Sequence, residues 1–453
     1  ADSKIGSAYP TPFTGAGLCA RKGPCEPIRD RIDMHVALVS EHVSPINDAA
    51  GIEAEQSAAQ LDRLASSLAR AGTRVDVYTR KQNPDHEDEL LTPDGYRVVN
   101  LSAGPAVPMT EEESIPHTSA FASSLRDHLL RTKPDVAHAH SWVSGLATVL
   151  AAGATGVPTV MSFHGLAATD RSGPPTAGTD SVVPRAAMEK KIARSASRII
   201  ASCPDEADML TRMGVARAKV SIVPTGVDLS DFDPSGPTAP RSGAACRVAT
   251  VGSDAEVSTI IELLGKLDDT ELVVVGGEPR ESSGVAQLRT VAAAHGMAGR
   301  TVFTGPVRHR HMSSLLRSAD VFVCLSPTES AGIATLEAMA CGLPVVAYGV
   351  GYAGELVIDG VTGRSIRPGD RRRLARELAL LLRNESRRFE LGVSGSDRAQ
   401  SRFSWDRIAE DTSRVYEATA QTGSTVNAGS TQQAGSTHDH PVPPTAPSRR
   451  HTV

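Results

Sequence analysis

The chain has 453 residues, and its 47 Lys and Arg against 52 Asp and Glu give a formal net charge of −5. This balance disfavours electrostatic binding of nucleic acid by the chain as a whole. At about 150 residues per domain, the length predicts two or three domains with sizeable cores. No apolar run reaches the roughly 18 residues of a membrane helix, and the N-terminus lacks a signal peptide's apolar core. The six cysteines are scattered and lack zinc-ligand spacing, so we expect a cytoplasmic protein that binds no metal.

The N-terminal segment differs in composition from the rest of the chain. Residues 1–33 are rich in Gly, Pro and Ser and show no periodicity, and the first methionine is Met34. We hypothesise that the native chain starts at Met34 and that 1–33 is a disordered extension or upstream translation. The apolar run over 34–42 predicts the first β-strand.

Strands and helices alternate from Met34 onwards. Helical spacing over 61–71 ends at Gly72, a C-cap signal, and a predicted strand over 74–79 comes next. This alternation predicts a parallel sheet covered by helices on both faces. The Pro-rich segment 233–243 interrupts the pattern as a linker would, and strands and helices then resume, with a last predicted helix over 371–383. The sequence therefore predicts two doubly wound α/β domains.

Two further segments come after the second α/β domain. The amphipathic segment 404–419 predicts a closing helix. From 421 the composition is of low complexity, with the tripeptide GST occurring three times. Such a composition cannot bury enough apolar surface to become ordered, so we expect a disordered tail over 421–453.

The segment 326–349 carries the strongest chemical signal. Glu329 stands just before a helix predicted to start near Gly332, and Glu337 lies about two turns along it. A helix start exposes unpaired N–H groups that bind phosphate, and a glycine there lets a ligand approach the backbone. Two separated carboxylates can hydrogen-bond the two ends of a polyhydroxyl ligand. The alternative is a first-turn Glu that favours the helix dipole and a second Glu that faces solvent.

The E-x7-E spacing of this segment resembles the signature of the retaining, nucleotide-sugar-dependent glycosyltransferases of family 4. The resemblance covers 34–418 and includes a glycine-containing run over 349–363 and a closing helix over 404–418. The first half resembles the subgroup of sucrose-phosphate synthases and mycothiol-pathway inositol-phosphate glycosyltransferases. The resemblance implies the GT-B fold, in which two Rossmann-like domains face each other across a cleft.

The resemblance also implies roles for individual residues. Glu329 would contact the transferred sugar, Glu337 the ribose, and His164 the donor sugar and leaving phosphate in the cleft. We therefore expect His164 and Glu329 at the reacting centre, although an imidazole that caps a loop is the simpler interpretation of His164 alone. The implied donor-binding residues are Gly51, Gly332, Ile333, Glu337, Ser253 and Ser258.

The acceptor side is less clearly indicated. His140, at a predicted strand end, lines the cleft or makes structural hydrogen bonds. Arg185 matches an arginine that meets the acceptor's phosphate, or it forms an ordinary i,i+4 ion pair with Glu189. Ser141 and Gly165 stand where the inositol-phosphate enzymes have Tyr and Thr. Inositol phosphate is therefore not supported as the acceptor beyond the level of the family.

The donor side departs from the family pattern at the basic pair that stabilises the leaving diphosphate. Ser253 and Ser258 replace its Arg and Lys, and Glu256 adds negative charge. Loss of one such donor typically lowers the rate by about 10²–10³. In the glycine-rich loop after the first strand, Ala50 replaces one glycine and Gly51 remains. Three cations that lie nearby in the chain are candidate substitutes: Lys266, Arg280 and Arg308.

These observations predict a transferase that moves a hexosyl group from a UDP- or GDP-linked sugar to an acceptor hydroxyl with retention. The acceptor would be a small polyol, a sugar phosphate or a lipid-linked molecule, and no cofactor is expected. The alternative is a degenerate homologue that binds a sugar nucleotide or a partner with little or no transfer. The predicted organisation is an extension (1–33), an acceptor-side domain (34–232), a linker (233–243), a nucleotide-sugar-binding domain (244–400), a closing helix on the N-terminal domain (401–420) and a tail (421–453).

Overall fold

A computed structural model of the protein describes residues 34–46, 52–167 and 185–433, without the side chains of 52–53, 329–331 and 423–433. Gly51, the extension over 1–33 and the last part of the predicted tail lie outside the described residues. The described residues form two mainly parallel sheets with helices against them, as the alternating pattern predicts.

The first sheet has eight strands in the order β3-β4-β2-β1-β5-β6-β7-β8. Every neighbouring pair is parallel except β3 and β4, which form an antiparallel edge. The strands are β1 (His35–Val39), β2 (Arg74–Arg80), β3 (Glu89–Leu91), β4 (Arg97–Leu101), β5 (Val136–His140), β6 (Thr159–Ser162), β7 (Arg198–Ala201) and β8 (Val220–Ile222).

The second sheet has six parallel strands in the order β11-β10-β9-β12-β13-β14. They are β9 (Cys246–Val251), β10 (Thr270–Val274), β11 (Thr301–Phe303), β12 (Val321–Cys324), β13 (Val345–Tyr348) and β14 (Gly363–Ile366). In both sheets the strand order reverses beside the first strand, between β1 and β5 and between β9 and β12. Ligands of such sheets bind at this reversal, outside the carboxyl ends of the strands.

The helices connect and cover the strands. Those of the first half are α1 (Ile52–Arg70), α2 (Glu111–Ser114), α3 (Thr118–Thr132), α4 (Trp142–Thr155), α5 (Arg185–Ser195) and α6 (Pro204–Arg212). Those of the second half are α7 (Asp254–Leu264), α8 (Ser283–Ala294), α9 (His309–Arg317), α10 (Glu329–Ala340), α11 (Gly351–Leu356), α12 (Arg371–Arg383), α13 (Glu385–Phe403) and α14 (Trp405–Gln433). Within the described ranges, each helix is too short or too polar to cross a membrane.

Strand β1 shows how helices cover both faces of the first sheet. Val36 and Leu38 belong to a core that includes residues of α1 and α14, whereas Ala37 and Val39 belong to a core formed with α3 and α4. Successive side chains of a strand point to opposite faces, so a strand that is apolar throughout is buried on both sides.

The linker segment is held against the second domain by a buried arginine of β9. The Arg247 Nε atom is 2.6 Å from Glu271 Oε1, and its Nη2 donates to the carbonyl oxygen of Pro240 at 2.8 Å. Arg247 and Glu271 are both buried, so the ion pair holds the arginine in place and the arginine anchors the linker at Pro240.

Helix α14 returns to the first domain and is longer than predicted. It packs against α1, and the adjoining Ser404 forms a β-bridge with Val227. The helix begins at Trp405, because α13 occupies the chain as far as Phe403. It continues to Gln433, beyond residue 421, where the tail was predicted to begin. The prediction of a disordered tail from 421 is wrong for 421–433. Once packing has nucleated a helix, each added residue needs no new nucleation.

The chain between β2 and α3 contains elements that the periodicity did not predict. Strands β3 and β4 form the antiparallel edge, and α2 is a single helical turn. The three residues of β3 are all exposed, so the strand carries no buried face to produce a hydrophobic pattern.

Candidate active site

A cavity of about 740 Å³ lies at the carboxyl ends of the strands, between the two halves. The first half lines it with residues that come after β1, β5 and β6 or end them, including Ser40, His140 and His164. The second half contributes Thr328 and Ile333, at and near the start of α10. The cavity is therefore at the strand-order reversal at which parallel α/β sheets bind ligands.

Two histidines predicted for the cleft contact each other in this cavity. His140 Nδ1 and His164 Nε2 share a hydrogen bond of 2.9 Å, and the rings stack with centroids 5.2 Å apart. Burial, together with the neighbouring His138 and His164, lowers the pKa of His140 well below its usual value. A neutral His140 donates a hydrogen bond from one ring nitrogen and accepts one at the other, and its Nε2 is buried with no hydrogen-bond partner among the described residues.

His138 connects this pair of histidines to the closing helix. Its Nδ1 is 2.7 Å from the hydroxyl of Tyr416 on α14, and its Nε2 is 3.0 Å from Ser162 Oγ. The His138 and His140 rings lie 4.3 Å apart. Burial lowers the pKa of His138 to about 3, so the ring is neutral near pH 7. His138 therefore makes structural hydrogen bonds at both ring nitrogens.

The backbone is strained where β5 and β6 end beside the cavity. Ser141 has φ of 75° and ψ of 160°, a region that is almost restricted to glycine, and His164 has φ of 54°. Each such conformation costs roughly 1–3 kcal/mol and persists only where the surrounding structure enforces it. The strain coincides with the two strand ends that carry the cavity histidines.

Arg185 lines the cavity and also forms the predicted ion pair. Its Nε is 2.8 Å from Glu189 Oε1, and its Nη2 donates to the carbonyl oxygen of Gly165 at 2.9 Å. The Glu189 carboxylate in turn accepts from the N–H of Ala167 at 3.0 and 3.1 Å. The pair therefore holds the loop that carries His164, as the ion-pair interpretation of Arg185 predicts.

The short helix α2 also lines the cavity, and the periodicity of the sequence did not predict it. Thr110, Glu111 and Glu112 are all on the cavity wall. The Thr110 N–H donates to Glu113 Oε2 at 2.9 Å, and the Glu113 N–H donates back to Thr110 Oγ1 at 3.3 Å. This reciprocal capping box has a sequence signature, Thr followed three residues later by Glu, which could have located the helix.

A buried carboxyl group lies immediately after β1. Glu41 has no exposed surface, and neither of its carboxyl oxygens makes a hydrogen bond of regular geometry among the described residues. Burial raises the pKa of Glu41 to about 8, against the opposing effects of Arg80 and Thr118. Glu41 adjoins Ser40 and His42, which both line the cavity. Apart from a charged residue at a strand end, no local pattern pointed to it.

Helix α10 carries the two glutamates predicted for the donor side, and it begins earlier than expected. Glu329 is the first residue of the helix, so the start predicted near Gly332 is wrong by three residues. Gly332 lies in the first turn, where an added Cβ would stand 2.6 Å from the Tyr352 ring. The small residue therefore makes room for Tyr352. At a rise of about 1.5 Å per residue, Glu337 lies roughly 12 Å further along the helix.

Glu337 is buried and has a partner that the sequence did not predict. Its side chain is 4% exposed, and its Oε1 is 2.8 Å from Nε2 of His309, the first residue of α9. Its other oxygen, Oε2, is buried and has no partner among the described residues. The buried position of Glu337 excludes the alternative of a solvent-facing helix residue.

The two serines that replace the expected basic pair lie on α7. Ser253 is the exposed N-cap residue, and Ser258 is half-buried on the first turns of the helix. The Ser253 N–H donates to Glu256 Oε2 at 2.8 Å, so a carboxylate of the chain itself occupies this helix start. The N-terminus of α7 is thus already satisfied by negative charge, in contrast to the cationic site of the family pattern.

The candidate replacement cations lie in different places. Lys266 comes after the C-terminal end of α7, so the helix carries it roughly 18 Å from the N-terminus. Arg280 donates from Nε to the carbonyl oxygen of Thr304 at 2.9 Å. Arg308 is exposed and directly precedes His309, the partner of Glu337. Of the three, Arg308 is the one that adjoins the partner of the donor-side carboxylate in the chain.

The comparisons with known proteins agree with this architecture. The family model described as Glycosyltransferase Family 4 matches residues 58–231, and that of Glycosyl transferases group 1 matches 244–397. The D-inositol 3-phosphate glycosyltransferase of Xylanimonas cellulosilytica is 30% identical over 402 residues, with 84% of this chain and 96% of the relative covered. The D-inositol 3-phosphate glycosyltransferase of Salinispora tropica is 32% identical over 418 residues, with 85% of this chain and 86% of the relative covered. The chain belongs to the family 4 glycosyltransferases of GT-B fold and is a glycosyltransferase enzyme.

Solved structures show the same arrangement of two domains. Sucrose-phosphate synthase from Thermosynechococcus elongatus is 25% identical with a TM-score of 0.71, and the match covers 85% of this chain and 98% of that one. Anabaena HepE in complex with UDP-glucose is 17% identical with a TM-score of 0.59, and the match covers 85% of this chain and 100% of that one. The similarity to HepE is evidence for the shared fold only.

Proposed function

We propose that the enzyme transfers a hexosyl group from a UDP- or GDP-linked sugar to an acceptor hydroxyl with retention of anomeric configuration. The observation that carries this proposal is Glu337, a buried carboxylate with one oxygen bonded to His309 and the other without a partner among the described residues. A buried carboxylate oxygen without a donor is costly, and a ribose hydroxyl of a bound nucleotide would satisfy it.

The donor would extend from Glu337 along α10 towards the cavity. The N-terminus of this twelve-residue helix, with Glu329, Gly332 and Ile333 in its first turns, supplies N–H groups and a positive dipole end for a diphosphate. Glu329 would accept hydrogen bonds from the sugar hydroxyls. Gly51, Ser253 and Ser258 complete the donor site in this proposal.

The acceptor would bind in the first half of the cavity, beside His140, His164 and Arg185. When the anomeric C–O bond breaks, its electron pair stays with the diphosphate oxygen, which takes the proton of the acceptor hydroxyl from the same face. The acceptor oxygen then bonds to the anomeric carbon, so the configuration is retained and no protein base is assigned. The acceptor is a small polyol, a sugar phosphate or a lipid-linked molecule, and the reaction requires no metal.

Calorimetry with UDP, GDP, ADP and their hexose conjugates tests the donor site, with nucleotide release followed in the same samples. We expect one conjugate to bind and to release its nucleotide slowly without acceptor, and addition of EDTA to leave both unchanged. Glu337→Gln is expected to weaken that binding about 10- to 100-fold, because a charged acceptor is lost. Exposed Glu417→Gln on α14 is the control.

The same experiment decides against the proposal if no nucleotide binds, or if Glu337→Gln binds as tightly as the wild type. Retention is tested separately, once an acceptor is found, by proton NMR of the newly formed glycosidic bond. An inverted anomeric centre in the first-formed product would contradict the mechanism.

A further inference from the structure

His309 stands at the start of α9 and contacts the carboxylate that carries the proposed function. Its Nε2 lies 2.8 Å from Glu337 Oε1, and the two side chains are 23% and 4% exposed. The His309 ring lies 5.2 Å from the ring of Phe232. The contact joins α9 to α10 away from the cavity histidines, so it is a separate feature of the donor side.

The charged groups that face His309 from the neighbouring elements are acidic. Besides Glu337 on α10, they are Asp231 in the segment that precedes the linker and Glu55 on α1 of the first half. Burial works to lower the pKa of His309, but the hydrogen bond and charge of Glu337, with smaller contributions from Asp231 and Glu55, raise it above its usual value. Arg308 and Arg310 flank it in the chain, and both are exposed.

We propose that His309 is a positioning residue that fixes Glu337 Oε1 and thereby aims Oε2 at the ribose hydroxyls of the donor nucleotide. This inference rests on the proposed function, because it needs a nucleotide at Glu337. A carboxylate with both oxygens unpaired could rotate about its terminal torsion, which is broad and soft. With one oxygen held by an N–H donor, the position of the second oxygen is fixed before the ligand arrives.

The proposal predicts a pH dependence of nucleotide affinity. Protonated His309 always carries a proton on Nε2, so it holds Glu337 by a charge-assisted hydrogen bond. As the pH rises through the raised pKa of His309, the ring loses its charge and Glu337 remains as a buried carboxylate without a cation. Affinity is therefore expected to be highest on the acidic side of this pKa and to fall above it.

The experiment measures the affinity of UDP and GDP for the full-length protein between pH 5.5 and 8.5 by calorimetry. His309→Ala is expected to weaken binding of the accepted nucleotide about tenfold at the acidic end. His309→Gln keeps a donor near Oε1 and is expected to restore most of the affinity without the pH dependence. His311→Ala removes an exposed histidine from the same helix and is the matched control.

A 2′,3′-dideoxy nucleotide diphosphate of the same base separates positioning from a structural effect. Because this probe has no ribose hydroxyls, it is expected to bind the wild type and His309→Ala equally. Equal losses for the dideoxy and parent nucleotides, or no loss for either, would overturn the role of His309. If neither UDP nor GDP binds the wild type, the proposed donor site itself fails and this inference falls with it.

Discussion

At Glu41, burial opposes ionisation of the carboxyl group. It is completely buried next to the cavity, and the opposite charge that acts on it, Arg80, is also fully buried. The Arg80 guanidinium donates instead to the carbonyl oxygens of Pro105 and Val107, both at 2.6 Å. The arginine thus holds the loop before α2, and the carboxyl of Glu41 has no ion pair with it.

We expect Glu41→Gln to stabilise the protein progressively as the pH rises. The folded pKa of about 8 lies above the ordinary value of 4.5, so ionisation favours the unfolded state between these values. The contribution of Glu41 to the unfolding free energy of the wild type therefore falls by about 4 kcal/mol from pH 4.5 to pH 8, and this fall is absent from the variant. Denaturant titrations at several pH values measure this difference.

The control for this prediction is Glu87→Gln, which changes an exposed carboxyl in the same domain. Its unfolding free energy should follow that of the wild type at every pH. Parallel pH curves for Glu41→Gln and the wild type would show that Glu41 is ionised in the folded protein, contrary to the effect of its burial.

At the level of secondary structure, a buried ion network joins three strands of the first sheet. Asp76 on β2 is 2.8 Å from His35 Nε2 on β1 and accepts two hydrogen bonds from Arg97 on β4, at 2.8 and 2.9 Å. Burial works to raise the pKa of Asp76, but the hydrogen bonds from His35 and Arg97 outweigh it and lower the pKa to about 2. The network fixes the alignment of β1, β2 and β4 through side chains as well as the backbone.

Asp76→Asn is expected to reduce stability above pH 4 and to flatten its dependence on acid. The folded pKa lies below the ordinary value of 3.8, so the ionised group stabilises the fold above 3.8, and this contribution disappears as the pH falls through 2. The contribution is about 2 kcal/mol, measured by denaturant unfolding between pH 6 and pH 2. Asp208→Asn, at an exposed position on α6, is the control, and equal acid dependence of Asp76→Asn and wild type would refute the prediction.

The sequence predicted elements well where one periodic pattern continued between clear end signals. Helix α12 spans Arg371–Arg383 as predicted, because an apolar stripe lies between a capping Asp370 and Asn384. The start of α10 was placed near Gly332, a glycine expected to let a ligand approach the backbone, whereas this glycine lies inside the helix and accommodates the Tyr352 ring. The need for a small residue there comes from a neighbour that no local pattern contains.

The residues of the candidate site were predictable only where they follow a local pattern of the sequence. His140 and His164 could be brought together from the sequence because both lie at the ends of parallel strands, whose carboxyl ends meet at one edge. The contact between His309 and Glu337 could not, because it joins two helices through residues 28 apart with no shared motif. Local spacing predicts which residues share an element, and tertiary packing decides which elements bring their side chains together.

At the level of the whole molecule, a few hydrogen bonds link the two halves. The Tyr352 hydroxyl donates to the carbonyl oxygen of Thr225 at 2.6 Å, and the Gly351 N–H donates to Asp205 Oδ2 at 2.7 Å. The closing helix α14 adds a third link, because it comes after the second domain in the chain and packs on the first sheet. Its Tyr416 hydrogen-bonds His138, which lines the cavity.

Tyr416→Phe tests how much this last link contributes. Loss of the hydroxyl leaves His138 Nδ1 without its partner at a position that is 2% exposed. We expect a loss of about 1–3 kcal/mol in unfolding free energy. Because burial lowers the pKa of His138 to about 3, the ring is neutral in both proteins, so the loss should be constant from pH 7 to pH 9.

The effect of Tyr416→Phe should also reach the cavity, because the His138 ring packs against His140, which bonds His164. We therefore expect the ring resonances of all three histidines to shift in NMR spectra, while those of His309 stay unchanged. Tyr348→Phe, on β13 of the other sheet, is the control for loss of a tyrosine hydroxyl. An unchanged unfolding free energy, with the resonances of the cavity histidines unshifted, would mean that the Tyr416–His138 hydrogen bond does not help to hold α14 on the first domain.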